Sequence, residues 1–264
     1  TDLARQPGCS VFLDVGTYGE IVLARDGRLI ACSTAAGPAF EGASIVQGMA
    51  ALHGAIETVR VHDSRIDCRT IGNGSPVGLC GTGLLSAVAE LCAVGAIEPS
   101  GKLSDGARAL SGRMTGEGTA RRFRLTDGDV PIYLHQADVR EFQLAKAAIR
   151  TGIEVLLQHG GMEASELDRV LVGGAFSARV AGEHLIDTGF LPPVDPSRIR
   201  VVGNAAGEGA KQVLLDRGLR SEAERIARSV DYVELSSDRR FSDLYVEYIP
   251  FPAVEPRRAS EGST

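Results

Sequence analysis

The sequence has no tryptophan and only three methionines, and aromatic residues make up 5% of its 264 positions. A core built from it therefore depends on aliphatic packing and on eight phenylalanines. Cysteine is sparse as well. Cys9, Cys32, Cys68, Cys80 and Cys92 fall at irregular spacings with no C-x-x-C pair. That excludes a disulfide framework and argues against a zinc knuckle or an iron-sulfur cluster held by this chain alone, so the thiols read as small buried hydrophobes. His53, His62, His135, His159 and His184 form no i, i+4 pair, and none is a candidate metal ligand. No apolar run approaches the roughly 20 residues that span a bilayer, and the first residues carry no signal-peptide pattern. Basic charge is not in excess: the net charge is -6 and the pI is about 5.5, which disfavours nucleic acid and anionic membranes as partners. The expectation is a soluble cytoplasmic protein.

What is present is length and apolar content. With 44% hydrophobic residues, 264 positions suffice to bury about three quarters of the unfolded surface, as one large domain or as two lobes sharing a cleft. Chemistry concentrates in residues 11–29, VFLDVGTYGEIVLARDGRL. Two apolar runs flank Gly16-Thr17-Tyr18-Gly19, and Asp26-Gly27 closes a second turn, which predicts a three-stranded antiparallel meander. The glycines let backbone approach a ligand, Thr17 supplies a hydroxyl, and successive N–H groups of such a turn can cradle an anion. Asp14 ends the first strand, where it can hold or orient a metal-bound water, and Glu20 follows the turn. An ordinary hairpin explains the glycines equally well.

Taken in order, residues 1–10 read as a linker. Residues 33–42, STAAGPAFEG, form a bendable stretch open to a ligand or partner, and a helix is expected over residues 43–59 from Ile45, Met49, Leu52 and Ile56. Cys80-Gly81-Thr82-Gly83 leads into an amphipathic helix with Leu84, Val88, Leu91 and Val94 on one side. Its glycines suit an anion at the helix N-terminus, although capping alone explains them, and their order is not that of a dinucleotide fingerprint. Residues 98–117 read as a surface excursion. A long helix follows over HQADVREFQLAKAAIRTGIEVLLQHGG, with Asp138 near its start and Gly160-Gly161 at its end; Gln143 and Lys146 read as its solvated face. Val170-Leu171-Val172 runs into Gly173-Gly174-Ala175-Phe176, and residues 199–202 run into Gly203-Asn204 and another helix. Strands that end in small residues before a helix mark an α/β fold with ligands at their carboxyl ends. Residues 252–264 read as a flexible tail.

DVGTYGEIVLARDGRLIACSTAAGPAFEGASI, GLCGTGLLSAVAELCAVGAI, QADVREFQLAKAAIRTGIEVLL, VLVGGAFSARV and VVGNAAGEGA occur in this order over residues 11–249. Together they resemble the C-terminal domain of the reductive activators of corrinoid proteins, in the ATPase superfamily of actin, sugar kinases and heat-shock chaperones. The resemblance implies an α/β, ribonuclease-H-like domain over residues 11–250, a mixed sheet flanked by helices. It further implies ATP with Mg²⁺ as cofactor, and ATP-dependent return of cob(II)amide to cob(I)amide on a corrinoid methyltransferase partner. Homodimerisation is also implied. Family members usually carry a [2Fe-2S] ferredoxin domain and an earlier D-x-G-T-T-T phosphate motif. Neither pattern occurs here, so a fragment with weak or no ATPase of its own is expected.

By the same resemblance Asp14 and Glu20 are the candidate catalytic residues. Gly16, Thr17, Gly19, Gly173, Gly174, Ala175 and Phe176 are the candidate nucleotide contacts that it implies; Gly81, Thr82, Gly83, Gly203 and Asn204 join them as small residues opening helices, and Ser33, Phe40 and Glu41 in the bendable stretch are the candidate partner contacts. Tyr18 stands where the family has Asn, and Ser177 where it has Gly. Two other readings stay open: a small-molecule kinase of the same superfamily using Asp14, and a non-catalytic docking or dimerisation module.

Overall fold

The computed structural model describes residues 2–110, 112–174, 176 and 180–253. In chain order its strands and helices are β1 (Cys9–Val15), β2 (Tyr18–Arg25), β3 (Arg28–Ala35), β4 (Ala55–His62), β5 (Arg65–Thr70), β6 (Gly78–Leu79) and α1 (Gly81–Ala93). Next come β7 (Met114–Thr115), β8 (Arg122–Arg124), β9 (Tyr133–His135), α2 (Gln136–Gly160), β10 (Arg169–Gly174) and α3 (Gly182–Asp187). The chain continues through β11 (Ile199–Gly203), α4 (Ala205–Leu215), α5 (Arg217–Ser229), β12 (Asp231–Tyr232) and α6 (Phe241–Glu247).

The meander forms as expected, and it is the centre of a six-stranded mixed sheet ordered β11-β10-β1-β2-β3-β12. β10 and β11 add parallel to β1, and β12 adds parallel to β3. Alternation along β1 assigns the faces: Val11, Leu13 and Val15 are buried on one side, Phe12 and Asp14 half-buried on the other. The first face packs against α2, which lies across β2 and β3. The second is covered near the strand starts by Leu3, Ala24, Leu29 and Leu171, joined by Ile226 of α5. Near the strand ends it carries Asp14 and Glu20.

Several expectations are corrected. Leu3 is buried and β1 begins at Cys9, so residues 3–10 pack as part of the domain rather than as a linker. No helix forms over residues 43–59. Residues 43–54 are irregular, Leu52 is exposed, and β4 starts at Ala55. Gly48 packs so closely that a Cβ there would collide with the Gly42 carbonyl, and the β-branched Ile56, Val59 and Val61 favour a strand. The spacing of Ile45, Met49, Leu52 and Ile56 was coincidental. α1 is buried along its whole length rather than on one side. The excursion over residues 98–117 is pinned by buried Leu103 and Leu110.

Gln143 and Lys146 are not on a solvated face: both are 1% exposed. Lys146 Nζ donates to the Tyr248 and Pro250 carbonyls, each at 2.6 Å, and Gln143 Nε2 donates to Ser100 O and Ile249 O at 3.2 and 3.1 Å. Carbonyls of irregular segments have no ladder partner, and these two polar side chains supply the donors. Burial pulls the Lys146 ammonium down to about 8.

Asp138 does serve the start of α2. One oxygen accepts from His135 N and the other from Val46 N, each at 2.8 Å, and the residue is fully buried. Asp138→Ala leaves both amides without partners, at on the order of 3 kcal/mol. Urea titration is expected to show the midpoint falling with an unchanged slope, and an unchanged midpoint would remove the assignment.

Candidate nucleotide site at the carboxyl edge of the sheet

Strand register assembles the site. Gly203 of β11 lies opposite Gly173 of β10, Gly173 opposite Asp14 of β1, Asp14 opposite Glu20 of β2, and Glu20 opposite Ser33 of β3. Five of the expected residues thus form one row across five strands. Two glycines floor one end of it, two carboxylates stand in the middle, and a hydroxyl closes the other. The next row holds Gly174, Val15, Gly19 and Thr34. The bends after Asp14 and after Val172 are therefore neighbours on one edge of the sheet, side by side rather than facing one another across a crevice.

Gly174 has φ 85°, and a Cβ on it would collide with Val15 O and Asp14 Oδ1. Only glycine brings this bend against the Asp14 carboxylate. Gly16 N donates to Tyr18 O at 3.1 Å and closes the β1–β2 turn, whose Tyr18 is 60% exposed. Burial pushes the Asp14 carboxyl up. Glu20 is also raised, first by burial and then by the Asp14 charge, while its own backbone and the Ser33 hydroxyl pull it back. Like charges one strand apart raise the cost of ionising both, and a cation between them relieves it.

Other expected residues take part in packing and capping. Gly81 and Gly83 let the start of α1 lie against backbone: side chains there would collide with the Phe40 and Ile56 carbonyls respectively. Thr82 is buried, its hydroxyl 3.2 Å from Cys80 Sγ. The Asn204 side chain accepts from Gly207 N at 2.7 Å and caps α4. Phe40, expected to face a partner, is 2% exposed, and its ring meets those of Phe142, Phe176 and Phe190 at 5.6, 5.2 and 5.4 Å. The Phe176 ring likewise belongs to the core and offers nothing but backbone to a ligand. Glu41 accepts from the Thr17 hydroxyl at 3.1 Å, which ties residues 33–42 to the β1–β2 turn. Nothing in the spacing announced that contact, since the two residues are 24 apart. Ala175 and Ser177 lie outside the described residues.

Hollows also lie off the row, two of them beside the start of α1. One of about 220 Å³ is bordered by Phe40, Glu41, Ala50, Cys80 and Thr82. The other, about 730 Å³, opens between β4, β5 and α1 and contains none of the row residues.

Donor chemistry decides which cofactors fit. Two adjacent carboxylates beside a glycine-floored edge suit Mg²⁺, which takes one or two protein carboxylates and completes its shell with phosphate oxygens and water. A [2Fe-2S] cluster does not fit the described residues. No three His, Cys, Asp or Glu converge there, and burial raises the Cys9 and Cys68 thiols to about 11 and Cys32 and Cys92 to about 12. Among the described residues no helix is long and apolar enough to cross a membrane.

Residues 8–261 match the family model described as the C-terminal domain of RACo, the ASKHA domain. The chain is 34% identical over 254 residues to the corrinoid activation enzyme RamQ of Eubacterium limosum, covering 92% of this chain and 43% of that protein. It is 28% identical over 270 residues to the [Co(II) methylated amine-specific corrinoid protein] reductase of Methanosarcina barkeri, covering 93% and 46%. A solved reductive activator for corrinoid, iron-sulfur protein superposes with a TM-score of 0.88 at 34% identity, over 95% of this chain and 41% of its own. The chain thus spans less than half the length of these relatives. The family match spans nearly the whole chain and the superposition shares its fold, and the chain belongs to the family of C-terminal ASKHA domains of the reductive activators of corrinoid proteins.

Proposed function

We propose that this chain is the nucleotide-responsive half of an ATP-dependent reductive activator that returns cob(II)amide to cob(I)amide on a corrinoid protein. The row from Gly203 through Gly173, Asp14 and Glu20 to Ser33 carries the reading. It joins an acidic pair suited to Mg²⁺ with a backbone floor suited to a nucleotide. Bound Mg·ATP supplies a charged, multidentate ligand whose affinity can differ between conformations. The protein's own part is electrostatic: Asp14 and Glu20 hold the cation, and the Gly16-Thr17 turn offers a hydroxyl and backbone donors to the phosphates.

The task such a domain serves is electron transfer from a low-potential centre, about -400 mV for a plant-type ferredoxin, to a cobalt couple that is harder to reduce in its resting coordination. A nucleotide assists this by its differential affinity for partner-bound and partner-free states. Residues 33–42 are the candidate partner-facing segment. With Phe40 buried, contact falls to Ala35, Gly37, Pro38 and Ser33. A homodimer is part of the proposal, supported by Leu214 and Leu215, which are 84% and 86% exposed at the end of α4; light scattering at rising concentration tests it.

Titration calorimetry is the direct test. ATP with Mg²⁺ is expected to give saturable binding, with little heat when Mg²⁺ is chelated. Absence of binding at millimolar Mg·ATP would overturn the nucleotide reading and leave the docking alternative.

A further inference from the structure

The stretch of residues 35–38 is an arc between two fixed points. Before it, buried Thr34 donates its hydroxyl to Ala148 O of α2 at 3.2 Å. After it, the Phe40 ring is held among three other phenylalanines. Gly37 has φ 77°, and nothing lies within 4 Å of where its Cβ would be. Two hydrogen bonds tie this segment to the β1–β2 turn. Gly37 N donates to Thr17 O at 2.9 Å, and Thr17 Oγ1 donates to Glu41 Oε1 at 3.1 Å. The other Glu41 oxygen, Oε2, is buried and meets no donor among the described residues.

A threonine hydroxyl has one proton to give. In this structure Glu41 takes it. A phosphate oxygen seated in the β1–β2 turn competes for the same proton, and the two acceptors repel each other as like charges. The hydroxyl therefore serves one acceptor at a time: Thr17 bonded to Glu41 with both ties to the turn in place, or Thr17 bonded to an anion with Glu41 released and the Gly37 N–Thr17 O bond left alone.

We propose that Thr17 and Glu41 are a relay in which the phosphate of a bound nucleotide displaces Glu41 from the Thr17 hydroxyl and so removes one of the two ties between residues 35–41 and the β1–β2 turn, leaving the Gly37 N–Thr17 O bond as the other. Glu41 acts here as a positioning residue for the arc and as a competitor of the nucleotide, not as a contact to it. The inference rests on the nucleotide reading above and adds the route by which occupancy of the turn reaches the partner-facing segment. It also gives the unpartnered Oε2 a role, since release lets the carboxylate reach solvent.

The sign of the affinity change tests the relay. Glu41→Gln keeps an acceptor for Thr17 but removes the charge, and Glu41→Ala removes both. Calorimetry with Mg·ATP on the whole chain is expected to show Glu41→Ala binding about three- to tenfold more tightly than wild type, with Glu41→Gln between them. A residue that merely built the site would weaken binding when removed. Amide exchange across residues 35–42, measured with each protein saturated, is expected to speed up on nucleotide binding in wild type. In Glu41→Ala it should already be fast and insensitive to nucleotide.

If wild type gives no heat with Mg·ATP, the nucleotide reading itself falls. If wild type binds but neither variant gains affinity, or exchange in the arc ignores the nucleotide, the relay alone falls. Should Glu41→Ala not fold, an unchanged or weakened affinity in Glu41→Gln suffices to overturn it.

Discussion

Replacing Phe40 by alanine is expected to cost about 3–5 kcal/mol of unfolding free energy, a drop in melting temperature on the order of 10 °C for a domain of this size. Phe40 is 2% exposed, and its ring makes edge-type contacts with Phe142 at 81°, Phe176 at 66° and Phe190 at 75°. Those rings come from four separate parts of the chain: the 3-10 turn Pro38–Glu41, helix α2, the segment after β10 and the segment after α3. Truncation thus opens a cavity where four segments meet and collapse is hard. Phe40→Leu retains most of the volume and should cost less than half as much. Guanidinium melts of both variants check this, and a loss under about 1 kcal/mol for Phe40→Ala would contradict the packing. Because Phe40 also anchors the arc of residues 35–38, partner binding lost in this variant would report on stability, not on a direct contact.

That double position explains why Phe40 was misread. In the sequence it sits among Gly, Pro and Ala, and a lone aromatic in such a stretch reads as an exposed anchor. Its real partners are about 100 and more residues away, and pattern within a window carries no information about them. The meander was legible because its signal is local: alternating apolar runs joined by a short glycine turn at Gly16-Gly19 and by Asp26-Gly27, where Asp26 and Gly27 both take positive φ. Gly173 and Gly174 were legible for the same reason, as an apolar strand running into small residues. The row that joins them to Asp14 and Glu20 was not, because register between β1 and β10 spans about 160 residues.

Polar residues on helices failed in a different way. Lys146 and Gln143 have the composition of a wet face, yet each is spent on carbonyls of segments that lack a ladder of their own. Such a need is visible only once those segments are placed. The helix expected over residues 43–59 failed because the 3.6-residue spacing of four apolar residues outweighed the glycines between them. In the fold the glycines decide, and β4 begins only after Gly54. Gly81 and Gly83 suit an anion by sequence, and in the structure they also bring α1 onto the backbone of Phe40 and Ile56, a need that no local pattern announces.

Neutralising the acidic pair is expected to move stability and binding in opposite directions. Partial burial raises the half-buried Asp14 carboxyl; Glu20 is exposed, and its smaller loss of solvation is joined by the Asp14 charge in raising it. A raised carboxyl means that the folded state binds the proton more tightly than the unfolded one. Between the unfolded value, about 3.8 for Asp14 and 4.5 for Glu20, and the raised folded value, stability therefore falls as pH rises. The penalty is absent below that window and fully present above it. Asp14→Asn should thus melt higher than wild type at neutral pH, with the gap closing on acidification through the window, while solvent screening at the exposed Glu20 leaves Glu20→Gln with a smaller shift in the same direction. Both variants should bind Mg·ATP more weakly. Losing one partner of a desolvated charge contact costs about 2–5 kcal/mol, or roughly 30-fold to several thousand-fold in affinity. Melting curves from pH 4 to 8 and calorimetry on the same proteins test the pair together. Variants that melt higher and bind as wild type would leave the carboxylates without a part in nucleotide binding. Variants that melt lower would mean that the pair stabilises the fold, and the case for a site held at the expense of stability would be lost.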